Sequence, residues 1–177
     1  MDIKEYKEAV EYFSNSEKNF EFTNKGSEHA ATVVSNIIRT TKEELLIYSG
    51  NMNRTVANDS DMVTKLSAFL GSGKKLRIVL DEIPDEEHRS ESLKLILESQ
   101  NDSTKDVIVK VDKNNIFADG LKQLFEDGEA HHFMVADGQA YRFEIDATQY
   151  KAICNFNDTT IAGKLKKAFN SLSEQMQ

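Results

Sequence analysis

Five side chains concentrate the chemistry available to this chain: His131 and His132, Asp137, Asn155 and Asn157. An imidazole titrates near neutral pH, so a histidine can hold a phosphate oxygen or move a proton as general acid or base. A nearby carboxylate can orient such a ring, and asparagine amides can donate to a bound anion. The two histidines cannot share one task. Neighbours on an extended strand point to opposite faces, so His131 and His132 diverge within Ala130-His131-His132-Phe133-Met134-Val135-Ala136. His132 shares a mostly apolar face with Ala130 and Met134. It reads first as a partly buried histidine and second as a phosphate-binding or general acid/base group. His131 reads as a packing or surface residue. Asp137 precedes Gly138, a strong hairpin-turn pair, so it is a turn residue before it is a carboxylate orienting a histidine. For Asn155 and Asn157 the sequence leaves two readings open: contact with an anion, or satisfaction of a strand-to-helix turn.

Other candidates carry less. A metal site built on His131 or His132 with Asp137 lacks a further ligand at useful spacing, and no metal or cofactor is expected. Cys154 is the single cysteine and sits among apolar residues, so an inert buried thiol is expected. His29 and His88 fall on expected helices without an identifiable partner. The Gly71-Ser72-Gly73-Lys74-Lys75 run lies between a helix and a strand and lacks Walker spacing. The acidic group Asp81, Glu82, Asp85, Glu86 and Glu87 reads as a solvated loop at a sheet edge.

The elements that must position these residues follow from hydrophobic periodicity. Helices are expected over 3–13, from about 30 to 38 with Ser27 as N-cap, 61–70, 86–99, 116–125 and 159–172 with Asp158 as N-cap. Strands are expected at Phe20-Glu21-Phe22, Leu45 to Tyr48, Leu76 to Leu80, Val107 to Val111, Phe133 to Ala136, Tyr141 to Ile145 and Ala152 to Cys154. The runs Leu45-Leu46-Ile47-Tyr48 and Leu76-Arg77-Ile78-Val79-Leu80 suit strands buried on both faces. Strands alternating with helices predict an α/β layered domain. Its sheet should be mixed but mostly parallel, with helices on both faces.

Composition sets the outer limits. A length of 177 residues with one proline and eight glycines leaves no room for a linker, so a single domain over 1–177 is expected. Lys and Arg number 22 against 30 Asp and Glu, a net charge of −8 that argues against broad nucleic-acid binding. The trio Lys164, Lys166 and Lys167 reads as a solvated helix face. No stretch approaches the ~18 apolar residues of a membrane span, so a cytoplasmic location without membrane contact is expected.

The segment from Ala130 to Gly138, followed by Tyr141-Arg142-Phe143-Glu144, resembles the phospholipase D-like superfamily, whose signature is His-x-Lys-x-x-x-x-Asp on a strand–turn–strand unit. Anchoring on Asp137-Gly138 puts Ala130 at the nucleophilic histidine and His132 at the lysine. Asn155-Phe156-Asn157-Asp158 resembles the family's small-polar-x-Asn element. The resemblance runs from Phe20 to Leu172. In the family one histidine attacks phosphorus, a second protonates the leaving group, and lysines hold the charged oxygens. Ala130 has no nucleophile, and no other register supplies both groups: starting from His131 or His132 puts Phe133 or Met134 at the lysine position. The resemblance therefore implies a phospholipase D-like domain without catalysis, acting as a binding or regulatory module. Family members with one motif per chain pair across a two-fold axis. That implies a homodimer whose cleft holds two copies of His132, Asp137, Asn155 and Asn157 and accepts a phosphate-containing or other anionic ligand. The alternative is a diverged, metal-independent phosphodiesterase or nuclease with His132 as general acid/base.

Overall fold

A computed structural model describes residues 1–176, and seven strands in it join one sheet. The chain runs α1 (Ile3–Asn15), β1 (Phe22–Asn24), α2 (Ser27–Thr40), β2 (Glu44–Ser49), α3 (Arg54–Ala57), α4 (Ser60–Leu70), β3 (Lys75–Leu80), α5 (Glu91–Gln100), β4 (Val107–Val111), α6 (Ile116–Leu124), β5 (Phe133–Ala136), β6 (Ala140–Asp146), β7 (Lys151–Asn155) and α7 (Thr159–Gln175). The sheet order is β1-β7-β6-β5-β2-β3-β4.

The layered α/β architecture stands as expected from the sequence, with one correction to the sheet. Only β2–β3 and β3–β4 are parallel; the other four pairings are antiparallel. Helical crossovers link β2, β3 and β4, which fixes those strands parallel. After α6 the chain does not extend the sheet beyond β4. It returns to the far side of β2, which β5 enters antiparallel. Short connections then carry it through β6 and β7, and such connections only join antiparallel strands.

Helices cover both faces. On one, Val33, Ile37 and Leu66 pack over Leu45, Ile47 and Ile78; on the other, Phe117, Leu121 and Phe169 pack over Leu46, Tyr48 and Val135. β2 therefore reads as a continuous apolar run because both its faces are buried. Each such aliphatic side chain removed from water contributes about 1.5–3 kcal/mol. Where α6 and α7 pack, Gly120 lies so close to Leu172 that a Cβ there would sit 3.2 Å from the leucine Cγ. At the opposite edge, β4 has one neighbour, and its central amide, Val109 N–H, donates to the Gln100 Oε1 at 2.6 Å.

Local signals explain the smaller departures. The helix starting at Ser27 has Gly26 as its N-cap, with φ +89° and no side-chain cap bond. The single helix expected over 86–99 divides: a 3₁₀ turn covers Glu86–His88, and Ser90 caps α5 by accepting from Leu93 N. Asp158 caps α7 as expected, accepting from Thr160 and Ile161 amides. The first strand lies two residues later than Phe20, since pairing with β7 sets it.

Candidate functional site

The sheet register builds a charged cluster around His132. Phe133 pairs with Phe143, so His132 stands opposite Glu144, and the Glu144 N–H donates to the His132 carbonyl at 2.9 Å. Cross-strand neighbours on one face have Cβ atoms within about 5.5 Å, which puts the two side chains in contact. The His132 Nδ1 lies 3.4 Å from Glu144 Oε1, and its Nε2 lies 3.4 Å from Asp81 Oδ2. Asp81 is the first residue beyond β3, and its N–H donates to Ser49 O at the carboxyl end of β2. The Tyr48 hydroxyl donates to the other Asp81 oxygen at 2.9 Å. Gly50 keeps this corner narrow: a Cβ there would stand 3.4 Å from His132 Cε1.

A second layer anchors Glu144. Two residues back on the same face of β6, Arg142 gives Nη2 to Glu144 Oε2 at 3.1 Å and to Tyr150 O at 3.2 Å, and Nε to Asn24 Oδ1 at 3.1 Å. Arg142 is 8% exposed and Asn24 1%. A guanidinium at that depth is tolerable because a carboxylate faces it and two neutral acceptors, Asn24 Oδ1 and Tyr150 O, take further protons.

These contacts fix the charge states. Burial works against a charged His132 ring, but the hydrogen bonds and charges of Asp81 and Glu144 raise its pKa to about 9. Burial likewise opposes ionised Asp81 and Glu144. Hydrogen bonds from His132 and Tyr48 hold the first carboxyl below its usual range, and His132 with Arg142 does the same for the second. At neutral pH the ring is thus an imidazolium whose Nε2–H donates to Asp81 and whose Nδ1 lies beside Glu144. The carboxylates sit on opposite sides of the ring, so the three groups do not converge on one point, and among the described residues no group of three or more His, Cys, Asp or Glu is placed to hold a metal ion.

The structure separates the residues that the sequence grouped. Five residues of strand part His132 from Asp137, roughly 16 Å at ~3.3 Å per residue. Asp137, at φ +55° in the β5–β6 turn, accepts from the Lys42, Glu43 and Glu44 amides at 2.7–2.9 Å. It fastens the hairpin to the start of β2. Asn155 and Asn157 lie at this same far end. Asn155 donates to Asn19 Oδ1 at 2.7 Å and accepts from Asn157 N, while Asn157 donates to Glu17 O and accepts from Gln139. They tie the segment after α1 to the end of the sheet. A single cleft holding His132, Asp137, Asn155 and Asn157 does not form within the chain, because the turn placing Asp137 and the strand start placing His132 are opposite ends of β5. His131 diverges from His132 as expected: it lies beside Phe125 and Phe143, and its Nε2 is 2.6 Å from Asp127 Oδ2. Cys154 is buried, and burial pushes its thiol up to about 12.

Asp81, Glu144, Arg142 and Tyr48 are the site residues that sequence reasoning missed. One signal was present. In Tyr141-Arg142-Phe143-Glu144, alternation puts two opposite charges on one face of a strand whose other face is aromatic, an uncommon arrangement unless the charges meet each other.

Alongside the cluster a cavity of about 370 Å³ opens over the α2 side of the sheet, between the ends of β2, β3 and β6 and the segment leading into α3. Val34, Ile47, Met62 and Met134 form part of its wall, and Asp81, Glu82, His132, Arg142 and Glu144 contribute its charged side.

The fold is phospholipase D-like, and it carries a histidine–carboxylate cluster at the strand ends. The solved structures make the fold explicit. Nuc from Salmonella typhimurium, a phospholipase D family member, matches with a TM-score of 0.57 at 15% identity, over 90% of this chain and 97% of that one. NucT from Helicobacter pylori matches at 0.60 and 12% identity, over 90% and 98%. TrmBL2, an archaeal chromatin protein whose structure shows a novel mode of DNA binding, matches at 0.61 and 12% identity, over 98% of this chain and 61% of that one. No family model matches the chain, and a search of curated proteins returns no match. Among the described residues no helix is long and apolar enough to cross a membrane.

Proposed function

We propose that this chain is a non-catalytic phospholipase D-like module that binds a small ligand in the cavity at His132 and works as a homodimer in the cytoplasm. The observation that carries this reading is the state of His132. Both ring nitrogens face carboxylates at 3.4 Å, so neither offers a lone pair to a substrate proton, and the nucleophile position two residues earlier is Ala130. Ala130 also packs against the core on the α6 and α7 side, away from the cavity. The phosphate-containing ligand expected from the sequence would meet two cations here, His132 and Arg142, each already matched by a carboxylate.

A metal-free hydrolysis assay on bis-p-nitrophenyl phosphate and short DNA, comparing wild type with His132→Ala, tests the reading. Light scattering on the same samples gives the mass. No turnover from a folded dimer is the expected result. Turnover that disappears in His132→Ala would instead establish the second reading, a diverged metal-independent phosphodiesterase. Its support is the likeness to Nuc and NucT and the proton His132 holds at neutral pH, which a general acid needs. Because TrmBL2 shares the fold and is described as binding DNA, fluorescence anisotropy with labelled duplex belongs in the same series. The net charge of −8 leads us to expect no binding at physiological salt.

A further inference from the structure

The cavity beside His132 has a composition that phosphate chemistry does not require. Its volume, about 370 Å³, lies within the ~300–1,000 Å³ of ligand pockets. Three of the chain's five methionines, Met52, Met62 and Met134, line it together with Val34, Ile47 and Val56. Thioether side chains reshape easily around an apolar guest. Met52 reaches this wall through a left-handed backbone, φ +52°, a conformation that costs a non-glycine residue energy and persists only where the surroundings hold it. Asn53 secures the next turn by accepting from Thr55 N.

The charged side is unequal. Asp81, Glu82 and Glu144 set three negative charges against the two positive charges of His132 and Arg142. The histidine and arginine are directly paired with Asp81 and Glu144, which leaves Glu82 as the carboxylate without a cation. Its Oε1 accepts from Asn51 at 3.1 Å, a neutral donor. The loop beyond Glu82 continues with the exposed acids Asp85, Glu86 and Glu87, while Arg54 and Arg89 are held on its carbonyls at Glu87 and Pro84.

We infer that the cavity takes a compact, mostly apolar molecule carrying one protonated amine, with the ammonium at the Asp81–Glu82 edge and the apolar body against the methionines. This inference rests on the binding reading of the same site and names its ligand class.

Calorimetry on the full chain at neutral pH, with 2-phenylethylamine, 2-phenylethanol and phenylacetate as probes, tests it with one ring and three head-group charges. The amine should bind about tenfold more tightly than the acid, the sum of one screened attraction and one screened repulsion. Glu82→Gln should shrink that preference about threefold and leave the alcohol unchanged. Val56→Trp, which fills the wall, should abolish binding of all three, with circular dichroism reporting the fold. If that variant unfolds, Met62→Phe takes its place. Tighter binding of phenylacetate, no binding of any probe at millimolar concentration, or binding indifferent to the filled wall would each overturn the inference. Hydrolysis of bis-p-nitrophenyl phosphate by the same preparation would sink the non-catalytic reading whatever the amine does; a chain that neither hydrolyses nor prefers the amine refutes the ligand class alone.

Discussion

Tyr48 and His132 meet edge to face, ring centroids 5.1 Å apart and 74° inclined, and both donate to the same carboxylate, Asp81. One strand end, one hairpin and one loop are locked by a single acid. Replacing it should release the histidine. In Asp81→Asn the His132 ring should titrate well below the wild-type value of about 9, and Glu144→Gln should lower it further. Proton NMR of the ring Cε1–H over pH 5 to 10 reads this directly; an unmoved titration in Asp81→Asn would rule out the pairing.

The same shift makes stability depend on pH in a definite direction. The folded value lies above the 6.5 of an unperturbed histidine. The stabilisation is therefore complete below pH 6.5 and is lost as the pH rises through about 9. With the ring 29% exposed, about 2 kcal/mol should separate urea unfolding at pH 6 from that at pH 9.5. His132→Gln should show no such loss over this interval.

Arg142 is the deepest charge near the site. Arg142→Met leaves Glu144 with His132 as its remaining partner and Asn24 Oδ1 with the Cys154 thiol as its remaining donor, and should cost about 2–3 kcal/mol in chemical denaturation. Adding Glu144→Gln should recover part of that cost, since the carboxylate that lost its guanidinium is removed. A double variant as unstable as the sum of the two singles would mean the residues do not act as a pair.

Asp137→Ala removes an acceptor from three successive backbone amides, and the left-handed turn loses a residue type that tolerates it. A loss of about 2–3 kcal/mol is expected, with the cavity and any ligand binding unaltered. Weakened probe binding in a folded Asp137→Ala chain would show that the two ends of β5 communicate.

At the α6–α7 contact, Gly120→Val should destabilise by about 1–3 kcal/mol through collision with Leu172. Leu172→Ala in the same chain should make the valine tolerable, so the pair should be more stable than the sum of the single changes.

Much of this molecule could be read from its residues. Leu45 to Tyr48 and Leu76 to Leu80 announced doubly buried strands, Asp137-Gly138 announced the hairpin, and Asp158 announced the last helix. These signals are local, carried by burial period or turn chemistry within a few residues. What escaped reading was long-range. Nothing around Phe22 says that β1 pairs with Cys154, and nothing around Phe133 says that β5 returns to β2 instead of passing β4. The site followed the same division. His132 was legible as an isolated side chain. Its partners come from 51 residues earlier and 12 later, joined only by the sheet register. Asn155 and Asn157 were misplaced for the related reason that a motif fixes order along a chain, while the end of the strand on which each residue falls depends on the register.

The Gln100 side chain on Val109 N–H has a consequence for how copies of this chain can meet. An exposed strand margin invites a second molecule to continue the ladder, and repeated continuation yields open-ended fibres. With its middle donor already satisfied from within, the β4 margin is a poor template for that growth.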